Sequence, residues 1–178
     1  MKKKCYLLCC LLPAVFSLMI VSCKKDHTDK PEKSEKYDWV TGTWKQKDLV
    51  IAVSVKLGGQ NIPAGTSMIA LAPLIGQALG NPAVAEGLTC TKDNTYSFNS
   101  DGTFAVNGCT SLILPTAGND GTWKLTVYDA VLQLTSAKGD NDPHWINSIS
   151  SNSLELAVTV SIPGVGDAPL SLILEKQP

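Results

Sequence analysis

Arginine is missing from all 178 residues, and histidine occurs only twice. Without arginine the chain lacks the planar, bidentate fork that clamps phosphates and carboxylates. Two histidines are too few for a multi-histidine zinc site or an extended histidine relay. Charge is sparse as well: 17% of residues are charged, 15 basic against 16 acidic, for a formal net charge of −1. That balance offers no footprint for a nucleic-acid backbone, so no nucleic-acid partner is expected. A sturdy membrane helix needs about 20 apolar residues; the run from Cys5 to Val21 falls short and contains Pro13 and Ser17. What is present is a 44% hydrophobic composition. This is too apolar for a disordered chain, and the length suits one domain plus a processed leader.

Met1–Lys4 reads MKKK and precedes the apolar run, the layout of a secretory signal over 1–22. The signal ends in Ile20-Val21-Ser22-Cys23, which resembles a bacterial lipobox. The resemblance implies cleavage before Cys23, lipid on its sulfur and new amino group, and an outer-membrane address facing the periplasm or the cell surface. From Lys24 to Lys36, nine of 13 residues are charged. Such a segment cannot bury enough surface to offset its ordering entropy. Residues 23–36 are therefore expected to be a lipidated cysteine and a solvated tether, with His27 exposed. Loss of the three leader lysines leaves 12 basic against 16 acidic residues, a charge of −4. Attachment through lipid does not require a polybasic patch.

Cysteine usage fits an exported chain. Cys5, Cys9 and Cys10 leave with the leader and Cys23 is taken by lipid, so Cys90 and Cys109 remain. An oxidising compartment favours their pairing as a disulfide.

The remaining 37–178 reads as one domain dominated by period-two alternation between Gly, Asn and Asp turns. Tyr96 and Phe98 face one way, Asn99-Ser-Asp-Gly102 turns the chain, and Phe104 and Val106 restore the apolar face. Pairing Asn99 with Thr103 brings Cys90 and Cys109 together at the open end of this hairpin. Asn119-Asp-Gly121 is a second turn, before Trp123, Leu125 and Val127. Leu132 and Leu134 mark the next strand, then Trp145, Asn147 and Ile149. Leu154–Val160 and Leu170–Leu174 alternate in the same way. A long first strand near 42–57 changes parity between Trp44 and Leu49, which implies a bulge around Lys47-Asp48. The class is all-β: eight antiparallel strands, as an up-and-down barrel or a two-sheet sandwich.

One stretch is not strand. Leu57–Ala85 carries no charge over 29 residues. Ser67 and Asn81-Pro82 read as helix starts, with Pro73 as a break and Gly87 as a stop. Short helical turns are expected here, between the first and second strands. Met68, Leu71, Leu74, Ile75 and Leu79 have three available roles: a plug that completes the core, a lid over a ligand cavity, or a face against lipid or protein.

Gly42-Thr43-Trp44, TYSFNSDGTF (95–104), GTWKL (121–125) and LQLT (132–135) together resemble the lipocalin-like lipoproteins of Bacteroidota, calycin-type barrels with a Gly-x-Trp signature. The resemblance spans the folded domain. It implies an eight-stranded barrel whose mouth holds a small apolar molecule, with Trp44 packed at one barrel end and Tyr96 among the candidate ligand-facing residues. Lipocalins usually stack an arginine on the signature tryptophan; here Lys176 is the available stand-in.

Chemistry-bearing residues are few. His144 follows Asp140 and Asp142, but no nucleophile elbow accompanies it, and GDNDPH (139–144) reads as a loop. The Asp-Asn-Asp segment lacks the remaining spacing of a calcium loop. Gly164 and Gly166 join two strands and open no nucleotide-binding helix. No catalytic residue, metal or cofactor is therefore expected. Two functions remain: a lipid-anchored carrier of a small hydrophobic ligand, or a side-chain-filled barrel that docks an envelope protein.

Overall fold

The computed structural model describes residues 33–57, 59–109, 118–162 and 166–178. The signal segment 1–22, Cys23, His27 and the tether as far as Glu32 lie outside the described residues. In chain order the elements are α1 (Glu35–Val40), β1 (Gly42–Ile51), β2 (Val55–Leu57), β3 (Gln60–Ile62), α2 (Met68–Ala78) and α3 (Pro82–Cys90), then seven further strands. These are β4 (Thr95–Phe98), β5 (Thr103–Asn107), β6 (Asp120–Thr126), β7 (Val131–Ser136), β8 (Asn141–Ile149), β9 (Ser153–Ile162) and β10 (Gly166–Lys176).

β1 and β4–β10 form a closed barrel in which each strand is antiparallel to the next and β10 returns to pair with β1. The sandwich alternative is thereby removed. Inward positions are those the alternation marks: Phe98, Phe104, Leu132, Leu134, Leu154, Leu156, Leu172 and Leu174 are all buried. The parity change in β1 is a register shift between Gln46 and Asp48, which puts Trp44 and Gln46 inside before it and Leu49 and Ile51 inside after it. A bulge of this kind also adds the twist that closure needs.

Gly42 explains the first position of the Gly-x-Trp signature. Its φ is +133°, and a Cβ there would lie 2.7 Å from Lys176 Cε. Only glycine accepts that backbone and that neighbour together. α1 covers this end of the barrel. Ser34 caps it, Tyr37 stacks on Trp123 with centroids 4.5 Å apart, and Val40 is fully buried.

The opposite end carries the insertion, and here three readings change. First, the long first strand stops at Ile51. Val53 is 53% exposed, and Val55–Leu57 instead pair with Gln60–Ile62. Leu57 pairs with Gln60, and Gly59 between them has φ +83°. Second, Pro73 lies inside α2 and does not break it. Third, α3 runs through Gly87 to Cys90. Both helices persist because their buried faces hold them: Met68, Ala72 and Ile75 on α2, Val84 and Leu88 on α3. Gly76 lets them approach, since a Cβ there would sit 2.8 Å from that of Ala85. Ser67 and Asn81 cap the two helices as their types suggest.

The insertion is fastened at both ends. Ser67 Oγ donates to Asp48 Oδ1 at 2.7 Å, and Ile51 N donates to Thr66 O at 2.9 Å. At the far end Cys90 and Cys109 form a disulfide, with Cα atoms 5.6 Å apart. β9 and β10 pair from Ile162 and Gly166 onward, a hairpin connection whose residues 163–165 are outside the described set.

Candidate functional site

A cavity of about 270 Å³ lies where the insertion meets the barrel rim. Ile51, Ala168 and Leu170 form its floor, and Val55, Leu57 and Ile62 of the β2–β3 hairpin form one wall. Met68, Leu71 and Ile75 of α2 complete it, and Lys56 and Asp167 stand at its edge. An apolar hollow with a few polar groups at its edge is the usual form of a small-molecule site. Among the described residues Lys56 makes no hydrogen bond or ion pair, whereas Asp167 Oδ1 accepts from Ser161 Oγ.

The sequence candidates separate into groups. Met68, Leu71 and Ile75 line the cavity together. Leu74 does not: it is 57% exposed and borders a shallower hollow with Leu57, Ile62 and Leu71. Leu79 is half-buried against the core and lines neither. Trp44 and Tyr96 are buried inside the barrel, away from the cavity. Trp44 Nε1 donates to Val40 O at 2.8 Å, and Lys176 Nζ lies 5.2 Å from its ring centroid while donating to Trp39 O. Lys176 therefore sets its cation against the Trp44 ring. Partial desolvation draws the Lys176 ammonium below its ordinary pKa.

Tyr96 belongs to a buried polar chain. Its hydroxyl donates to Gln46 Oε1 at 3.2 Å, Gln46 Nε2 donates to Thr91 Oγ1, and Thr91 Oγ1 donates to Leu88 O. This chain ties the barrel wall to the last turn of α3. Burial pushes the Tyr96 phenol up to about 12.

The sequence reading missed two features. The hairpin wall was legible in Leu57-Gly-Gly-Gln60, but the apparent continuity of Val53, Val55 and Leu57 with β1 concealed it. The other is His144. Asn141–His144 belong to β8, not to a loop, and His144 is 5% exposed with Nε2 3.1 Å from Asp142 Oδ2. Strand geometry then turns Trp145 outward, 57% exposed. Neighbouring residues on a strand face opposite sides, so Asp142 points in while Asn141 accepts from Gln133 and Thr135 on the outer wall. The Asp-Asn-Asp segment cannot converge on one cation. Among the described residues no cluster of three metal-ligating side chains occurs, and no helix is long and apolar enough to cross a membrane.

Comparison with family models finds no matching family, and a search of curated proteins finds no match.

Proposed function

We propose that this chain is a lipid-anchored, non-enzymatic, lipocalin-like protein that binds a small apolar ligand beneath its insertion. The observation that carries the reading is the 270 Å³ cavity walled by Met68, Leu71 and Ile75 and floored by the barrel rim. Its size is slightly below the roughly 300–1,000 Å³ of drug-sized sites, which suits a compact ligand. The N-terminal lipobox supports the anchor and an outer-membrane address.

A second reading, an interaction lipoprotein that docks an envelope partner, draws on a different observation. The barrel interior is filled with side chains, including Trp44, Leu132, Leu154 and Leu172, each fully buried. The two are separated by titrating an environment-sensitive apolar probe into the chain from Lys24 onward, together with Leu71→Ser/Ile75→Ser. The carrier shows saturable binding that the double variant weakens at least tenfold. If the wild type binds no probe and the variant loses only thermal stability, the cavity is a packing defect and the carrier reading fails.

A further inference from the structure

The turn between β6 and β7 has a backbone that ordinary turns avoid. Val127, Tyr128 and Asp129 have φ values of 51°, 55° and 62°, three consecutive non-glycine residues in the left-handed region. A β-branched residue there is a genuine outlier, and such strain persists only where surrounding structure enforces it. Here Lys36 Nζ donates to Asp129 O, and Ile146 N donates to Ala130 O. The strained turn displays its apolar side chains to solvent: Tyr128 is fully exposed and Val127 is 55% exposed. On β8, opposite the first residue of β7, Trp145 is 57% exposed on the outer wall. A tyrosine, a tryptophan and a valine are thus all exposed near the β6–β7 turn, at the barrel end that α1 covers.

That end is also where the tether arrives. Lys33 Nζ donates to Ser100 O, and Tyr37 of α1 donates to the same carbonyl. Cys23 precedes Lys33 by ten residues, a reach of at most roughly 35 Å when fully extended. A lipid on Cys23 would therefore tether the chain through this end, where Lys33 is held. Tyrosine and tryptophan are the side chains that settle at the headgroup level, with an apolar ring and a polar edge.

We propose that Val127, Tyr128 and Trp145 form a shallow wedge that seats in the lipid interface and orients the barrel with its cavity facing away from the membrane. The proposal rests on the anchor reading. Asp129 in the turn is matched by Lys36, whose ammonium donates to the Asp129 carbonyl, so the contact is carried by the apolar side chains and does not depend on anionic lipid.

The test fixes the anchor chemically, so its outcome is independent of whether Cys23 is lipidated in the cell; fractionation of Cys23→Ala tests that separately. The chain beginning at Cys23 is coupled through that thiol to a maleimide phospholipid and inserted in phosphatidylcholine vesicles with or without brominated acyl chains. Bromine should quench the tryptophan emission of the wild type, and Trp145→Phe should remove more than half of that loss. Val127→Asn/Tyr128→Asn keeps residues that tolerate the left-handed turn, so it should fold normally yet show weaker quenching. Equal emission in the two lipids, or equal quenching in wild type and Trp145→Phe, overturns the proposal. So does Tyr128→p-benzoylphenylalanine, photoactivated in native membranes, if it captures a second copy or another protein and no phospholipid.

Discussion

At the scale of single residues, two side chains give measurable signatures. Tyr96 titrates near 12 in the fold against 10.0 unfolded, because burial disfavours its phenolate. A raised folded pKa means the contribution is complete below pH 10 and is lost as pH climbs towards 12. Stability should therefore drop across pH 10–12 in alkaline unfolding followed by circular dichroism. Tyr96→Phe should flatten that limb while lowering stability at neutral pH, since it strands Gln46 Oε1. Gly42 gives the second signature. Alanine there meets both a φ of +133° and Lys176 Cε. Gly42→Ala should cost about 1–3 kcal/mol in urea unfolding, and Gly42→Ala/Lys176→Ala should still be destabilised because the left-handed φ remains strained.

At the scale of elements, the Cys90–Cys109 bridge closes a loop that contains the β4–β5 hairpin and joins it to α3. Its loss in Cys90→Ser/Cys109→Ser should lower stability by about 3 kcal/mol by freeing the unfolded chain, as read by unfolding with and without reductant. The β6–β7 turn should move the other way. Left-handed φ costs non-glycine residues roughly 1–2 kcal/mol each, so Val127→Gly should raise the melting temperature by several degrees. The elements also show what was legible in the chain. β4, β5, β9 and β10 could be read directly, because buried apolar residues recur at every second position along each of them. β8 was legible only in its second half, from Trp145 to Ile149; its start was hidden because Asp142 and His144 occupy inward positions while Trp145 points out, which inverts the usual sign of the pattern. Pro73 and Gly87 misled for a related reason: local propensity weakens a helix by a few kcal/mol at most, and tertiary burial of Ile75 and Leu88 outweighed it. Of the cavity, the α2 wall was legible as an uncharged run, but the Lys56 and Asp167 edge depended on a hairpin and a rim that only the closed barrel brings together.

At the scale of the whole molecule, the proposed anchor and the cavity can be tested separately. Cys23→Ala should abolish fatty-acid labelling and shift the protein to the soluble fraction; unchanged membrane association would remove the anchor from the account. The closure of β10 onto β1 has a kinetic consequence. Trp44 pairs with Lys176, and Gln177 N donates to Thr43 O, so the last strand made is the partner of the first. Every other wall contact in the barrel except β1–β4 joins strands that follow one another in the chain, whereas this one waits for the last strand to be made. Until then β1 and β9 present unpaired edges, the feature through which strands recruit other chains. The emerging protein is therefore most vulnerable to misassembly in the interval before the 11 residues of β10 arrive. A chain cut short at Val165 would remain in that state, with a strand missing from its wall and nothing left to close it.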